Sequence, residues 1–139
     1  MKQAMHVLHA RAKRRGLTEI TDEVRRWVAE QGISDGMLSL FCRHTSASLL
    51  IQENAASAAR RDLETYFSRI APEDPALYTH NDEGPDDMPA HLRSALTQTQ
   101  LSIPVENGRM VLGTWQGIYL FEHRREPPSR QIALHLIGE

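Results

Sequence analysis

Cysteine and long hydrophobic stretches are both scarce in this sequence. The single cysteine, Cys42, cannot form an intrachain disulfide or contribute to a metal site built from several cysteines. The longest uninterrupted apolar run, Ile118 to Phe121, has four residues, whereas roughly 20 span a bilayer and about 7 to 15 form a signal-peptide core. We therefore expect a cytoplasmic protein that does not enter a membrane.

The sequence also lacks an excess of charge of one sign. It has 16 Lys and Arg residues against 18 Asp and Glu residues, for a net charge of −2, so it has no broad basic field for nucleic-acid binding. Glycine and proline number only 8 and 7, and 40% of the residues are hydrophobic, which is typical of a globular chain. The length predicts one domain, residues 1–139. The balanced charge gives no support for a nucleic-acid partner, and none is expected.

The hydrophobic pattern predicts strands at both ends of the chain and helices between them. Apolar residues recur at helical spacing after Thr21, and Asn54 and Asp87 stand where two further helices are expected to begin. Asn107-Gly108, between two β-type segments, is the strongest short-range signal for a hairpin. The predicted fold class is α+β, with packed, largely antiparallel β-sheets and two or three helices.

Three of the seven histidines stand where a pocket can form. His44 is predicted at the end of a strand, His80 in an acidic loop and His91 in the first turn of a helix. Converging imidazoles are common ligands of zinc and other transition metals. Their spacing matches no local zinc signature, however, and scattered, individually satisfied histidines are the alternative. The remaining histidines are interpreted as solvated or half-buried: His6, His9, His123 and His135. Of these, His123 lies in a charged run that is predicted to be a solvated face.

The predicted loop 71–88 contains six acids and no Lys or Arg. Four of its carboxylates could bind a hard cation, orient the loop and helix histidines, or supply a general base: Asp82, Glu83, Asp86 and Asp87. An acidic loop in solvent is the simpler alternative. No nucleophile signature surrounds Ser46 and no glycine-rich nucleotide motif is found, so neither serine catalysis nor nucleotide binding is predicted.

Three groups of motifs resemble the YjbQ family, whose members are small single-domain proteins often labelled secondary thiamine-phosphate synthase. The similarity follows the family's order over essentially the whole chain and includes Glu122 and Arg130 near its C-terminal arginine motif. The motifs are Arg43-His44-Thr45-Ser46-Ala47-Ser48 with Glu53-Asn54, His80-Asn81-Asp82-Glu83-Gly84 through Asp86-Asp87-Met88-Pro89-Ala90-His91, and Gly113-Thr114-Trp115-Gln116-Gly117-Ile118.

The resemblance implies an α+β homotrimer with pockets near the contacts between subunits. It implies that His44, His80 and His91 line a pocket for a divalent metal, zinc or magnesium, or for an anion. Arg130 would neutralise a phosphate of a small phosphorylated metabolite. The same resemblance gives the other candidate site residues, which would complete the wall of the pocket: Glu53, Asn54, Glu83 and Gln116.

The reaction that the resemblance implies is condensation of a hydroxymethylpyrimidine diphosphate with a thiazole phosphate, releasing pyrophosphate. A metal-dependent hydrolase is a second hypothesis, since imidazoles and a carboxylate also activate water on a metal. A third is a non-catalytic trimer that binds a metal or a phosphorylated metabolite. It is favoured by a departure from the family's Glu-Asn-x-Asp pattern, because this chain has Ala56 in place of the aspartate.

Overall fold

The computed structural model describes all residues from Met1 to Glu139. The strands are β1 (Lys2–Ala10), β2 (Gly16–Glu19), β3 (Gly36–Cys42), β4 (Ala47–Glu53), β5 (Gln100–Glu106), β6 (Arg109–Met110), β7 (Gln116–Glu122) and β8 (Arg130–Gly138). The helices are α1 (Thr21–Ala29), α2 (Ser57–Ile70) and α3 (Asp87–Leu96), with a short 3-10 turn at Pro75–Leu77. None of the helices has the length and hydrophobicity needed to cross a bilayer.

The eight strands form two antiparallel sheets. The strand order is β1-β8-β3-β5-β6 in the five-stranded sheet and β2-β7-β4 in the three-stranded sheet. Every strand pair in both sheets is antiparallel. With three helices beside them, these sheets confirm the α+β class that the hydrophobic pattern predicts.

One hydrophobic core joins both sheets and α1. In β8, Ile132, Leu134 and Leu136 are fully buried while the residues between them are partly exposed, as the alternation of side chains along a strand requires. Val24 and Val28 bring the buried face of α1 into the same cluster. Each such side chain contributes about 1.5–3 kcal/mol when it leaves water, so this core holds the two sheets together.

The structure confirms the predicted hairpin and the predicted starts of two helices. Asn107 and Gly108 connect β5 to β6 with φ angles of 52° and 75°. Two consecutive residues with positive φ form a type I′ turn, whose twist matches that of antiparallel strands and which Asn-Gly adopts readily. Helix α1 begins at Thr21 and α3 begins at Asp87, as the sequence predicts.

The predicted start of α2 is wrong. The sequence pattern places Asn54 as its cap, but the helix begins at Ser57 and its N-cap is Ala56. Asn54 instead extends the pairing of β4 with β7, because its N–H donates to the carbonyl oxygen of Trp115 at 3.0 Å. No side chain caps α2, and its first turn contains no acid. The family's usual aspartate would therefore fall on the N-cap, where its side chain would accept from helix N–H groups.

We expect Ala56→Asp to raise the free energy of unfolding by about 1 kcal/mol. The backbone at Ala56 already has φ −108° and ψ 118°, which is the extended conformation of an N-cap residue. Urea denaturation of the two proteins measures the difference. Ala55→Asp is the matched control, since it adds the same charge one residue before the cap and is expected to have a clearly smaller effect. Equal effects at the two positions would contradict a capping role for position 56.

Candidate functional site

The acidic loop and the start of α3 bring two histidines and one aspartate together. Nε2 of His80 lies 2.9 Å from Oδ2 of Asp87, and Nε2 of His91 lies 3.2 Å from the same oxygen. The centroids of the two imidazole rings are 5.7 Å apart. The three residues each place one ligand atom within 4.8 Å of the others, a spacing that a single metal ion is able to bridge. We call these residues the His80–Asp87–His91 cluster.

The local sequence explains most of this arrangement. Asp87 is the first residue of α3, where the helix dipole favours a carboxylate. His91 follows four residues later and so lies on the same face of the helix. His80 approaches from the preceding loop, whose turn at Gly84 has a φ of 99°, a conformation that only glycine adopts readily.

The second ring nitrogen of His91 fixes which atom faces the carboxylate. Nδ1 of His91 lies 3.2 Å from the backbone carbonyl oxygen of Thr45. A carbonyl oxygen only accepts, so Nδ1 is the donor. In neutral His91, Nε2 then carries a lone pair and faces Oδ2 of Asp87 at 3.2 Å. Two lone pairs in this position repel each other, so the geometry requires either a proton on Nε2 or a cation between the two atoms.

Asp87 is a buried carboxylate that stays ionised. The residue is only 2% exposed. Burial by itself raises its pKa, but the hydrogen bond from His80 and the charges of His91 and Arg124 outweigh burial and hold the pKa of Asp87 below its ordinary value. Its two oxygens have different partners, because Nη1 of Arg124 donates to Oδ1 at 2.8 Å. The cluster therefore offers one carboxylate oxygen and two imidazole nitrogens.

His44 lies outside the His80–Asp87–His91 cluster. It follows β3, and its Nε2 accepts a hydrogen bond from the backbone N–H of Gln131 at 2.8 Å. Its side chain lines an open cleft of about 660 Å³, whose wall also includes Arg43, Thr45 and Arg130. Burial, and then the charge of Arg130, lower the pKa of His44, so that it is neutral near pH 7. Within a single chain, therefore, only His80 and His91 of the three expected metal ligands lie together, and His44 lies in the neighbouring cleft.

Arg130 lines the same cleft and is held by a buried ion pair. Its Nε and Nη2 donate to the carboxylate of Glu122, and Nη2 also donates to the carbonyl oxygen of Ser46 at 3.0 Å. Glu122 is fully buried and Arg130 is 3% exposed. Removing either partner would leave an uncompensated buried charge. Of the three guanidinium nitrogens, only Nη1 makes no hydrogen bond within the chain.

Three of the expected wall residues lie at the other end of the three-stranded sheet. Strand β4 begins at Ala47, beside the cleft, and its seven residues end at Glu53, which is about 20 Å away at the usual strand rise. Glu53 pairs with Gln116 across the sheet, and Asn54 follows directly. Within one chain, therefore, Glu53, Asn54 and Gln116 do not line the histidine site.

Asp87 and Arg124 are the site residues that the sequence analysis does not single out. Asp87 stands among four candidate acids, although its spacing of four residues from His91 is a local signal. Arg124 contacts Asp87 across 37 positions of the chain, and no local pattern reveals such a contact. The expected site residue Glu83 lies beside them, since its backbone carbonyl oxygen accepts from Nη2 of Arg124 at 2.9 Å.

The charged run 122–125 is only in part the solvated face that the sequence predicts. Its first two residues are fully buried, its third is partly buried and its fourth is exposed. Nε2 of His123 lies 2.9 Å from Oγ of Ser48, while Nδ1 is buried without a partner. Burial, followed by the charge of Arg93, lowers the pKa of His123 to about 3. His123 is therefore a neutral core residue at pH 7.

Two antiparallel sheets with a histidine–aspartate cluster at the start of a helix define an α+β protein with a candidate metal site. The chain matches the family described as "UPF0047 protein YjbQ-like" over residues 6–139 and belongs to that family. It is 44% identical over 138 residues to a UPF0047 protein of Synechocystis sp., covering 99% of this chain and 94% of the relative. It is 45% identical over 129 residues to UPF0047 protein YjbQ of Escherichia coli O157:H7, covering 92% and 93%. The resemblance seen in the sequence motifs is confirmed.

Solved structures share the fold over nearly the full length. A YbjQ-like protein of unknown function from Sulfolobus solfataricus P2 superimposes with a TM-score of 0.90 at 26% identity, covering 99% of each chain. An uncharacterised YjbQ/UPF0047 family protein of Clostridium acetobutylicum gives a TM-score of 0.82 at 33% identity, covering 96% of this chain and 99% of the other. These similarities establish the family and the fold of the chain.

We expect His123→Asn to flatten the acid side of the stability profile. Folded His123 takes up a proton only near pH 3, whereas the unfolded residue does so near 6.5. Between these values the unfolded chain binds more protons, so this group lowers the free energy of unfolding by up to about 1.4 kcal/mol for each pH unit of acidification. Asn removes the titration and keeps a hydrogen-bonding group near Ser48. Urea unfolding at pH values from 7 down to 4 measures the slope of each protein.

The matched control for this experiment is His9→Asn, a change at an exposed position of β1. It reports how much of any change in slope comes from losing a surface histidine. Parallel profiles for wild type and His123→Asn below pH 6.5 would contradict the assignment of His123 as a neutral buried residue.

Proposed function

We propose that the protein is a metal-dependent enzyme acting on a small phosphorylated metabolite. In this proposal one divalent metal ion is held by His80, Asp87 and His91. The observation that carries it is the pair of contacts made by His91, whose Nδ1 donates to a carbonyl oxygen while its Nε2 faces a carboxylate oxygen. A metal ion held by His91 and Asp87 would supply positive charge against this repulsion, and the hydrogen bond to the carbonyl would fix the ligating tautomer of His91.

The donor set favours zinc over magnesium. Imidazole nitrogen suits zinc and its transition-metal neighbours, whereas magnesium prefers oxygen ligands in a near-ideal octahedron. Three protein ligands leave a position for water or substrate, which is the arrangement of a catalytic zinc site. The His80 side chain is 44% exposed, so solvent and substrate can approach the metal from its side.

The adjoining cleft supports a phosphorylated substrate. Thr45 connects the His80–Asp87–His91 cluster to the cleft, because its carbonyl oxygen contacts His91 and the residue forms part of the cleft wall. Arg43 and Arg130 line the same cleft, and guanidinium groups bind phosphate through charge-assisted hydrogen bonds. Neutral His44 would add a hydrogen bond to this anion subsite rather than a fourth metal ligand.

The specific reaction that we propose is the one implied by the family resemblance, condensation of a hydroxymethylpyrimidine diphosphate with a thiazole phosphate. A bound metal would supply positive charge against the departing pyrophosphate. Arg43 and Arg130 would hold the phosphate of the thiazole partner. Glu83 is the neighbouring acid that would bind the metal or accept a proton. We place this reaction in the cytoplasm, because the single cysteine is free and buried and requires no oxidising compartment.

Hydrolysis of a phosphorylated metabolite is the second candidate function. The exposure of His80 favours it, since water that reaches the metal becomes a nucleophile. The two reactions differ in what becomes of the diphosphate substrate. In the condensation, the hydroxymethyl carbon of the pyrimidine forms a bond to the thiazole partner and pyrophosphate leaves. In hydrolysis, water attacks the phosphorylated substrate and no bond to the thiazole partner forms.

We expect untagged protein loaded with zinc and then dialysed to retain about one metal ion per chain. His80→Ala, His91→Ala and Asp87→Asn are each expected to lower the retained zinc at least tenfold, because each removes a ligand atom. Elemental mass spectrometry measures the metal. His44→Ala, in the neighbouring cleft, is expected to retain zinc, and exposed His9→Ala is the matched control. A wild-type protein that retains no zinc would contradict the proposal.

The same variants decide the reaction. Mass spectrometry of zinc-loaded protein incubated with both phosphorylated substrates is expected to show thiamine phosphate together with pyrophosphate, and neither with His91→Ala. Products of hydrolysis without the coupled product would replace the condensation with the second candidate. Zinc binding without turnover on either route would favour the non-catalytic alternative.

We also propose a homotrimer whose sites combine two subunits. The number of subunits comes from the family resemblance. Glu53, Asn54 and Gln116 lie too far from the histidines of their own chain, so they contribute to a site only from another subunit. Association is supported by the outer face of the five-stranded sheet, which exposes apolar side chains of the kind found at interfaces: Met5, Met37, Phe41 and Ile137.

A mixing experiment tests this shared site. Glu53→Gln and His91→Ala are each expected to be inactive alone, yet an equal mixture reassembled from unfolded chains is expected to regain about a quarter of wild-type activity, because that fraction of sites joins two intact halves. Light scattering would first establish the mass of the assembly. Activity that stays absent in mixed trimers would contradict a site shared between subunits.

A further inference from the structure

Three nitrogen atoms of Arg124 are committed to the acidic loop and the start of α3. Nε donates to Oδ2 of Asp86 at 3.0 Å, Nη1 to Oδ1 of Asp87 at 2.8 Å, and Nη2 to the carbonyl oxygen of Glu83 at 2.9 Å. Arg124 follows β7 and reaches these groups across 37 to 41 positions of the chain. One planar guanidinium therefore fixes the segment that carries the central carboxylate.

Because Arg124 contacts Asp87, the two oxygens of the Asp87 carboxylate have different partners. Oδ1 is occupied by Arg124, and Oδ2 faces both His80 and His91. Because the guanidinium is planar and is itself held by Asp86 and Glu83, it restricts rotation of the Asp87 carboxylate. Only Oδ2 is then free to bind a cation, and the carboxylate acts as a ligand through one oxygen.

We propose that Arg124 is a positioning residue that sets the metal affinity of the His80–Asp87–His91 cluster by holding Oδ1 of Asp87. This inference rests on the proposed metal site. The role goes beyond neutralising charge, because a lysine at the same place would keep the charge but could not make three directed hydrogen bonds in one plane. Partners that orient a ligand typically change metal affinity about 10- to 100-fold when they are removed.

The neighbouring Arg125 provides a matched control. Its side chain is directed away from the cluster and forms an ion pair with Glu73. Only its backbone N–H contacts the site, donating to Oδ2 of Asp86 at 2.9 Å, and a substitution keeps that group. Arg125→Gln therefore removes an arginine from the same loop without releasing the Asp87 carboxylate.

Cobalt(II) is the probe for the test, because its visible absorption reports both the affinity and the geometry of a zinc-type site. Wild type, Arg124→Lys, Arg124→Gln and Arg125→Gln are titrated with cobalt, and zinc affinity is then measured by competition. We expect both Arg124 variants to bind about 10- to 100-fold more weakly and to show an altered spectrum at saturation. Arg125→Gln is expected to stay within about twofold of wild type.

Thermal unfolding of the same proteins separates positioning from a general structural role. Arg124 variants that melt earlier but keep the wild-type affinity and cobalt spectrum would overturn the proposal. Equal weakening in Arg125→Gln would overturn it as well. If Arg124→Gln does not fold, Arg124→Lys decides, since it preserves the charge. If the wild-type protein binds neither cobalt nor zinc, both the proposed metal site and the positioning role of Arg124 are refuted. If the wild type binds metal and the Arg124 variants bind it equally well, only the positioning role is refuted.

Discussion

The burial of one ionised carboxylate, that of Asp87, is the constraint on which the candidate site depends. Leaving such a group unpaired away from water costs several kcal/mol. Arg124 compensates it through Oδ1, and His80 and His91 surround Oδ2. These partners come from the acidic loop, from α3 and from the segment after β7. The buried charge therefore fixes the acidic loop and the start of α3 against the distant segment after β7, and the geometry of the site is stabilised together with the fold.

The length of one strand explains why neighbouring motifs do not form one site. His44 and Glu53 belong to the same group of sequence motifs, but β4 runs between them. Seven residues of strand carry the chain about 20 Å, from the cleft to the opposite end of the sheet. Antiparallel pairing with β7 places Gln116 at the Glu53 end and Glu122 at the cleft end. One group of family motifs thus contributes residues to both ends of the three-stranded sheet. Only a second subunit would bring the Glu53 end close to the cleft.

Local sequence patterns predicted the features that local interactions determine. The Asn107-Gly108 turn needs positive φ at two adjacent residues, and the alternating burial of β8 follows from strand geometry alone. The start of α2 was misplaced because Asn54 is taken by strand pairing with Trp115, a partner 61 residues away in the chain. The choice between cap and strand was therefore made by tertiary structure rather than by the intrinsic preference of asparagine.

The errors in the charged run have the same physical origin. Alternating charges in sequence usually indicate a solvated surface, but Glu122 meets Arg130 across the loop that joins β7 to β8. Arg124 likewise meets the acids of the loop before α3. Each charge is withdrawn from solvent together with its counter-charge, and this pairing is not visible from one segment alone. The fold class follows from the local hydrophobic pattern and was predictable, while the residues that hold the site in place depend on these long-range contacts and were not.

Two consecutive backbone carbonyls join the His80–Asp87–His91 cluster to the cleft. The carbonyl oxygen of Thr45 contacts Nδ1 of His91, and that of Ser46 accepts from Nη2 of Arg130. Residues 44–46 line the cleft, so one short segment both forms part of the cleft wall and contacts His91 and Arg130 through its backbone. Any shift of the segment on substrate binding would move both carbonyls at once. The orientation of His91 and the position of Arg130 are therefore coupled through the main chain, so the proposed metal site and the proposed phosphate subsite would respond together.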